Sequence, residues 1–230
     1  MSTSEKAQRL CEELKSQSHS KEAMDVLKKF AQTEGKSDKI SKVIGDFFNM
    51  LQEPVEYEEV LAAGVCTTED EFKFLQGDIV RTDSAYYLRK RVKDTPAYVV
   101  ASSTCDLTEG RRECATLYPI IPIRVDAQGL LDNDTMAFVS TTLKFKSTTA
   151  MILPRFPHQD PEVRFNYIDF RRPHQIHPNK LKLAHRLYSM TTLGWRIFGT
   201  VLRFITSREA DNEELIRTSA STRTTIKESA

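Results

Sequence analysis

A chain of 230 residues with 40% hydrophobic and 28% charged side chains can bury a core and stay dissolved. A formal net charge of +1 excludes a globally basic nucleic-acid binder, and the longest apolar approach to a membrane span, residues 193–205, is broken by Arg196 and Arg203. The opening MSTSEKAQRL lacks the apolar stretch of a secretory signal, so Cys11, Cys66, Cys105 and Cys114, with no CxxC pair among them, read as free thiols of a cytoplasmic protein.

Residues 1–52 read as a helical region. Ala7, Leu10, Cys11 and Leu14 recur at helical spacing, as do Ala23, Met24, Leu27, Phe30 and Ala31. A third stripe, Ile40, Val43, Ile44, Phe47, Phe48 and Leu51, follows Gly35, with Ser37 or Asp38 placed to cap it. Such a stripe either joins the core or seats another copy, which makes Ile40, Val43, Ile44, Phe47 and Phe48 the candidates for self-association.

Residues 53–71 form an acidic connector after Pro54. Residues 72–172 then carry five short β-type runs: 77–80, 97–102, 117–123, 151–153 and 165–170. Asp94-Thr95-Pro96, Thr108-Glu109-Gly110 and residues 126–129 are turn signals, and the basic run at 89–93 reads as the end of a hairpin. Pro119 and Pro122 cannot donate to a ladder, which predicts an edge or bulged strand there. Beyond Phe170 the period returns to helical. One predicted helix after Asn179 carries Leu181, Ala184, Leu187, Tyr188 and Met190; a second, from Thr191 or Thr192, carries Ile197, Phe198, Val201, Leu202 and Ile205. These helices, at 173–210, are expected to pack back on the strands. Residues 211–230, rich in Ser and Thr, read as a disordered tail.

The expected fold is therefore α+β: a small SH3-like β-barrel with an N-terminal helical appendage and C-terminal helices. The order Gly77-Asp78-Ile79, then Pro96 opening an apolar strand that ends at Ser102, then residues 119–123 resembles the small barrel of PemK/MazF-type toxins. The resemblance covers about residues 72–172 and implies a barrel. It does not carry over the family's RNA-cleaving residues: Thr95 stands where the family has Arg, and neither Pro119 nor Pro122 is closely followed by Thr or Ser.

Four candidate constellations follow. Ser102-Ser103-Thr104-Cys105-Asp106 ends a strand, where a nucleophile could sit, but Asp106 disfavours a thiolate. Cys105, Cys114, His174 and His177 are zinc-type ligands, yet their spacing matches no finger, so no metal and no cofactor is expected. Asp169, Arg171, Arg172 and His174 are the types a phosphodiester cleavage needs, although a strand end closed by ion pairs explains them as well.

The fourth is charge. Residues 164–208 hold nine Lys or Arg against Asp169, a net +8; residues 52–78 hold eight acids against Lys73, a net −7. Either the two stretches neutralise one another, or Arg164, Arg171, Arg172, Lys180, Lys182 and Arg186 meet an anionic partner. With no coherent catalytic set, the favoured function is a non-catalytic recognition or adaptor module of a cytosolic, prokaryotic-type system. It would self-associate and bind an anionic protein or a nucleic acid or nucleotide, with no membrane span. The alternatives are a toxin-like endoribonuclease on a small barrel and a structural subunit of a larger assembly.

Overall fold

The computed structural model describes residues 2–17, 22–62, 64, 73–92, 97–107 and 110–207. Most of the acidic stretch 63–72 and the whole of 211–230, with the tail expected there, lie outside the described residues. The fold is α+β, with eight helices and a ten-stranded antiparallel sheet among the described residues.

The helical start is as periodicity requires. Helix α1 (Thr3–Ser16) opens on a capping box in which Ser2 Oγ accepts from Glu5 N–H and Glu5 Oε2 accepts from Ser2 N–H. Helices α2 (Glu22–Glu34) and α3 (Ser37–Ile44) follow, and Gly35 at φ +72° turns the chain between them. Neither Ser37 nor Asp38 caps α3; Lys36 does so by backbone alone, and Ser37 Oγ bonds Ser140 Oγ at 2.7 Å. The third stripe breaks at Gly45. Phe47 starts a separate turn, α4 (Phe47–Met50), capped by Asp46, and Leu51 is already in strand β1 (Leu51–Gln52). A short acidic helix, α5 (Tyr57–Ala62), lies in the connector.

All five predicted apolar runs are strands: β2 (Ile79–Arg81), β5 (Ala97–Val100), β6 (Ala115–Arg124), β7 (Ala150–Pro154) and β8 (Val163–Asp169). Between β2 and β5 lies a hairpin of β3 (Ala85–Tyr87) and β4 (Lys90–Val92), and between β6 and β7 lies helix α6 (Asn133–Leu143), capped by Asp132. After β8 come β9 (His174–Ile176), a single turn α7 (Pro178–Leu181), β10 (His185–Met190) and the long helix α8 (Thr192–Ser207).

Three expectations are corrected. The strands form an open sheet, in the order β1-β10-β2-β5-β6-β9-β3-β4 with β8 and β7 branching from β6, and not a closed barrel. The predicted helix through Leu187, Tyr188 and Met190 is instead β10, bonded to β1 on one side and β2 on the other, with a bulge near Leu187 that disrupts the alternation. The proline-bearing strand is not an edge, although the bulged alternative is met by a register shift between Ile123 and Arg124, just past Pro122. β6 tolerates its prolines because each turns its missing N–H to a place where no described residue pairs with it. Val100 bonds toward β2, which leaves even-numbered β6 residues facing β5 and odd-numbered ones facing β8 and β9. Pro119 thus looks at the turn between β8 and β9, and Pro122 lies past the last described β5 pair, Ala97↔Ile120.

The sheet has two buried faces. Ile79, Ala97, Val99, Ile120 and Ile168 meet Leu10, Leu27, Ile40 and the apolar stripe Leu193, Ile197, Phe198 and Val201 of α8 in one continuous core. Tyr98, Val100, Leu117 and Ile176 build a smaller cluster on the opposite face. No described helix is long and apolar enough to cross a membrane.

Candidate functional site

Sheet register assembles the site. On β6, Leu117 pairs with His174 of β9 and Ile120 pairs with Ile168 of β8. Three residues more separate His174 from Ile168 than separate the β6 partners, so the chain loops outward at residues 170–173 before rejoining the same strand. Asp169 anchors that loop. Its buried carboxylate accepts from Arg171 N–H (3.1 Å), Arg171 Nε (2.8 Å) and Nη2 (3.1 Å), and Arg172 Nε (2.9 Å). Burial raises the carboxyl pKa, but these donors outweigh it and hold Asp169 below the usual carboxylate range. Pinned at one edge, the guanidinium groups still expose 63% and 45% of their side chains.

His174 is held inward. Its ring stacks on Tyr87 at 5.1 Å and meets Tyr98 edge-on at 5.2 Å, and Nδ1–H donates to Arg172 O at 2.8 Å. Burial, with the Arg172 charge assisting, lowers its pKa despite that hydrogen bond, so it is neutral at pH 7.

The β3–β4 hairpin completes the surface. Tyr86 pairs with Gln175 of β9 and the Tyr87 ring stacks on His174, which sets β3 beside the strand that directly follows the Arg171–Arg172 loop. The turn residues Leu88 and Arg89 have φ of +49° and +65°, the two left-handed positions of a type I′ turn that Asn-Gly would fill without strain. Each such non-glycine residue costs about 1 kcal/mol or more. Leu88 is 78% exposed at the tip and Tyr86 47% exposed on the outer face, both flanked by Arg89, Lys90 and Arg91. Arg91 bonds the Asp83 carbonyl (2.6 Å) and carboxylate (2.7 Å). Hairpin and loop together carry five cations against Asp83 and Asp169, leaving +3 around an exposed aromatic and an exposed leucine.

Of the predicted anion-binding residues, Arg171 and Arg172 join this surface. Arg164 is exposed on β8 with its guanidinium 5.8 Å from the Phe165 ring, and Lys180 is exposed on α7. Lys182 is half-buried. Arg186 is committed inside: Nη2 donates to Val55 O at 2.8 Å and Nη1 lies 3.5 Å from the buried Asp78 carboxylate. Asp78 also accepts from Leu75 N–H and Ser189 Oγ, yet desolvation raises its pKa. This is where the acidic and basic stretches meet within the chain. Ile40, Val43 and Ile44 are buried in the core, Phe47 packs against Tyr188, and Phe48 alone of the five self-association candidates is outward, 85% exposed.

The other constellations disperse. Cys105 and Cys114 are exposed, His177 caps α7 by accepting from Asn179 N–H, and the described residues hold no cluster of three His, Cys, Asp or Glu fit for a metal. Ser102 Oγ accepts from Thr116 N–H and Thr104 Oγ1 from Gln76 N–H, structural uses of both hydroxyls. Sequence reading placed a hairpin end at Arg89 but missed Tyr86 and Leu88; the signal available was an apolar residue inside a basic turn. Comparison with family models, curated proteins and solved structures finds no significant match to this chain.

Proposed function

We propose that the protein is a non-catalytic recognition module that binds an anionic partner through the β3–β4 hairpin and the β8–β9 loop. The observation that carries this reading is the pairing of β3 with β9, which joins the basic hairpin bearing Arg89, Lys90 and Arg91 to the strand that follows exposed Arg171 and Arg172, with Tyr86 and Leu88 exposed on the hairpin. Arginine forks match phosphate and carboxylate oxygens bidentately, while Tyr86 offers a ring for stacking and Leu88 an apolar anchor. Backbone strain retained at the tip also favours a functional turn, because a stability-optimised hairpin would use Asn-Gly there. The ribonuclease reading has less support, since His174 is walled in by Tyr87 and Tyr98 and has no exposed proton to exchange.

The test is binding of a labelled single-stranded oligonucleotide and of an acidic peptide across a salt series. Three to five phosphate contacts predict that oligonucleotide affinity falls about twenty- to hundredfold between about 50 and about 200 mM salt. Acidic-peptide binding without oligonucleotide binding would make the partner a protein, and no binding of either at low salt would remove the proposal.

A further inference from the structure

We propose that a second site, sharing no residue with the hairpin surface, takes a small organic anion: a carboxylate or phosphate monoester on a flat apolar body. It is a cleft of about 440 Å³ on the side of the sheet that carries the main core. That volume is in the ordinary range for small-molecule sites. Ala97 and Ile120, one cross-strand pair, form its floor. Phe156 and Leu187 supply further apolar wall.

The wall opposite is built rather than slack. Buried Asn166 donates to Pro154 O (2.9 Å) and Gln159 Oε1 (2.9 Å) and accepts from Gln159 Nε2 (2.9 Å), while Gln159 Oε1 also accepts from Phe156 N–H (3.0 Å). Tyr188 Oη donates to Pro157 O at 3.3 Å, tying the same loop to β10. Asp160, the one carboxylate on the lining, is occupied by Arg124 and by Glu162 N–H. These amides and this acid are engaged by the protein itself, and so they shape the cleft.

What is left for a ligand on the lining is Arg81 and His158. Arg81, the last residue of β2, lines the cleft and has no ion-pair partner among the described residues. His158 stands at the loop tip with φ +62°, a left-handed position held by the Asn166–Gln159 lock. A cation on a polar rim over an apolar floor selects a ligand with an anionic head and a hydrophobic body.

The experiment follows backbone amide resonances of the full chain during titration with phenyl phosphate and benzoate. Inorganic phosphate (the head alone) and benzyl alcohol (the body alone) are run beside them, on wild type, Arg81→Gln and the distant Arg203→Gln. Saturable shifts at Ala97, Gln159, Asn166 and Leu187 with phenyl phosphate or benzoate, weakened about tenfold or more by Arg81→Gln and untouched by Arg203→Gln, are expected. Arg81 is exposed, so its replacement leaves the fold intact. Equal affinity for inorganic phosphate would mean an adventitious ion only. Equal affinity for benzyl alcohol, or binding indifferent to Arg81→Gln, would equally overturn the assignment.

Discussion

Helix α8 contains two glycines for which the same substitution should act in opposite directions. A Cβ built on Gly194 would lie 2.2 Å from Met50 O and 3.1 Å from Met50 C, and both are backbone atoms. Met50 O is not free to retreat, because it accepts the Thr191 N–H that closes β1 onto the helix start. Gly194→Ala must therefore displace α8 from the β1 segment. Overpacking of this kind costs about 3 kcal/mol, and the better helix propensity of alanine returns about 1, for a net loss of about 2 kcal/mol. At Gly199, five residues along, a Cβ meets nothing within 4 Å. Gly199→Ala should then stabilise by about 0.5–1 kcal/mol. For a chain of this size, thermal melts should show Gly194→Ala lowered by about 4–8 °C and Gly199→Ala raised by about 1–4 °C. If both variants shift the midpoint in the same direction, the close packing of α8 on Met50 is misread.

Three further outcomes are expected. Asp169→Ala removes a buried acceptor of four hydrogen bonds; because its arginine partners reach water, urea melts at pH 7 should show a loss of about 2 kcal/mol, below the buried-pair range. The wild-type Asp169 contribution, whose folded pKa is lowered, is present above about pH 4 and should fade as pH falls through that folded value. His174 also has a lowered folded pKa, so its stabilisation is complete above about pH 6.5 and drains as pH drops. The slope is at most about 1.4 kcal/mol per pH unit, and His174→Asn should flatten the stability profile below about pH 6.5. Leu88→Asn should stabilise by about 0.5–1 kcal/mol in urea melts by easing the left-handed turn, while weakening partner binding measured in parallel.

How much of this was legible depends on how local each signal is. The apolar runs of β2, β5, β6, β7 and β8 and the stripe of α8 stand out because each presents enough buried side chains to impose its own period. The open sheet was not legible, since closure depends on whether end strands find one another across long separations. Residues 185–190 also satisfy helical spacing, and only β1 and β2 on either side, with the bulge near Leu187, decide for a strand. The clasp of Asp169 on Arg171 and Arg172 was readable at two and three residues' spacing. The joining of the basic hairpin to β9 was not, because it rests on the single pair Tyr86↔Gln175. Opposed charge in the two biased stretches correctly suggested a contact, and Asp78 with Arg186 supplies it, but composition did not tell which pair would be buried.

Whether hairpin and loop act as one surface is answered most directly by comparing oligonucleotide affinity and its salt slope for wild type, Arg89→Gln, Arg172→Gln and the double variant. Each single change should weaken binding and reduce the slope by about 0.7, with the double variant losing about twice that. A slope that responds to one arginine and ignores the other would contradict the shared surface.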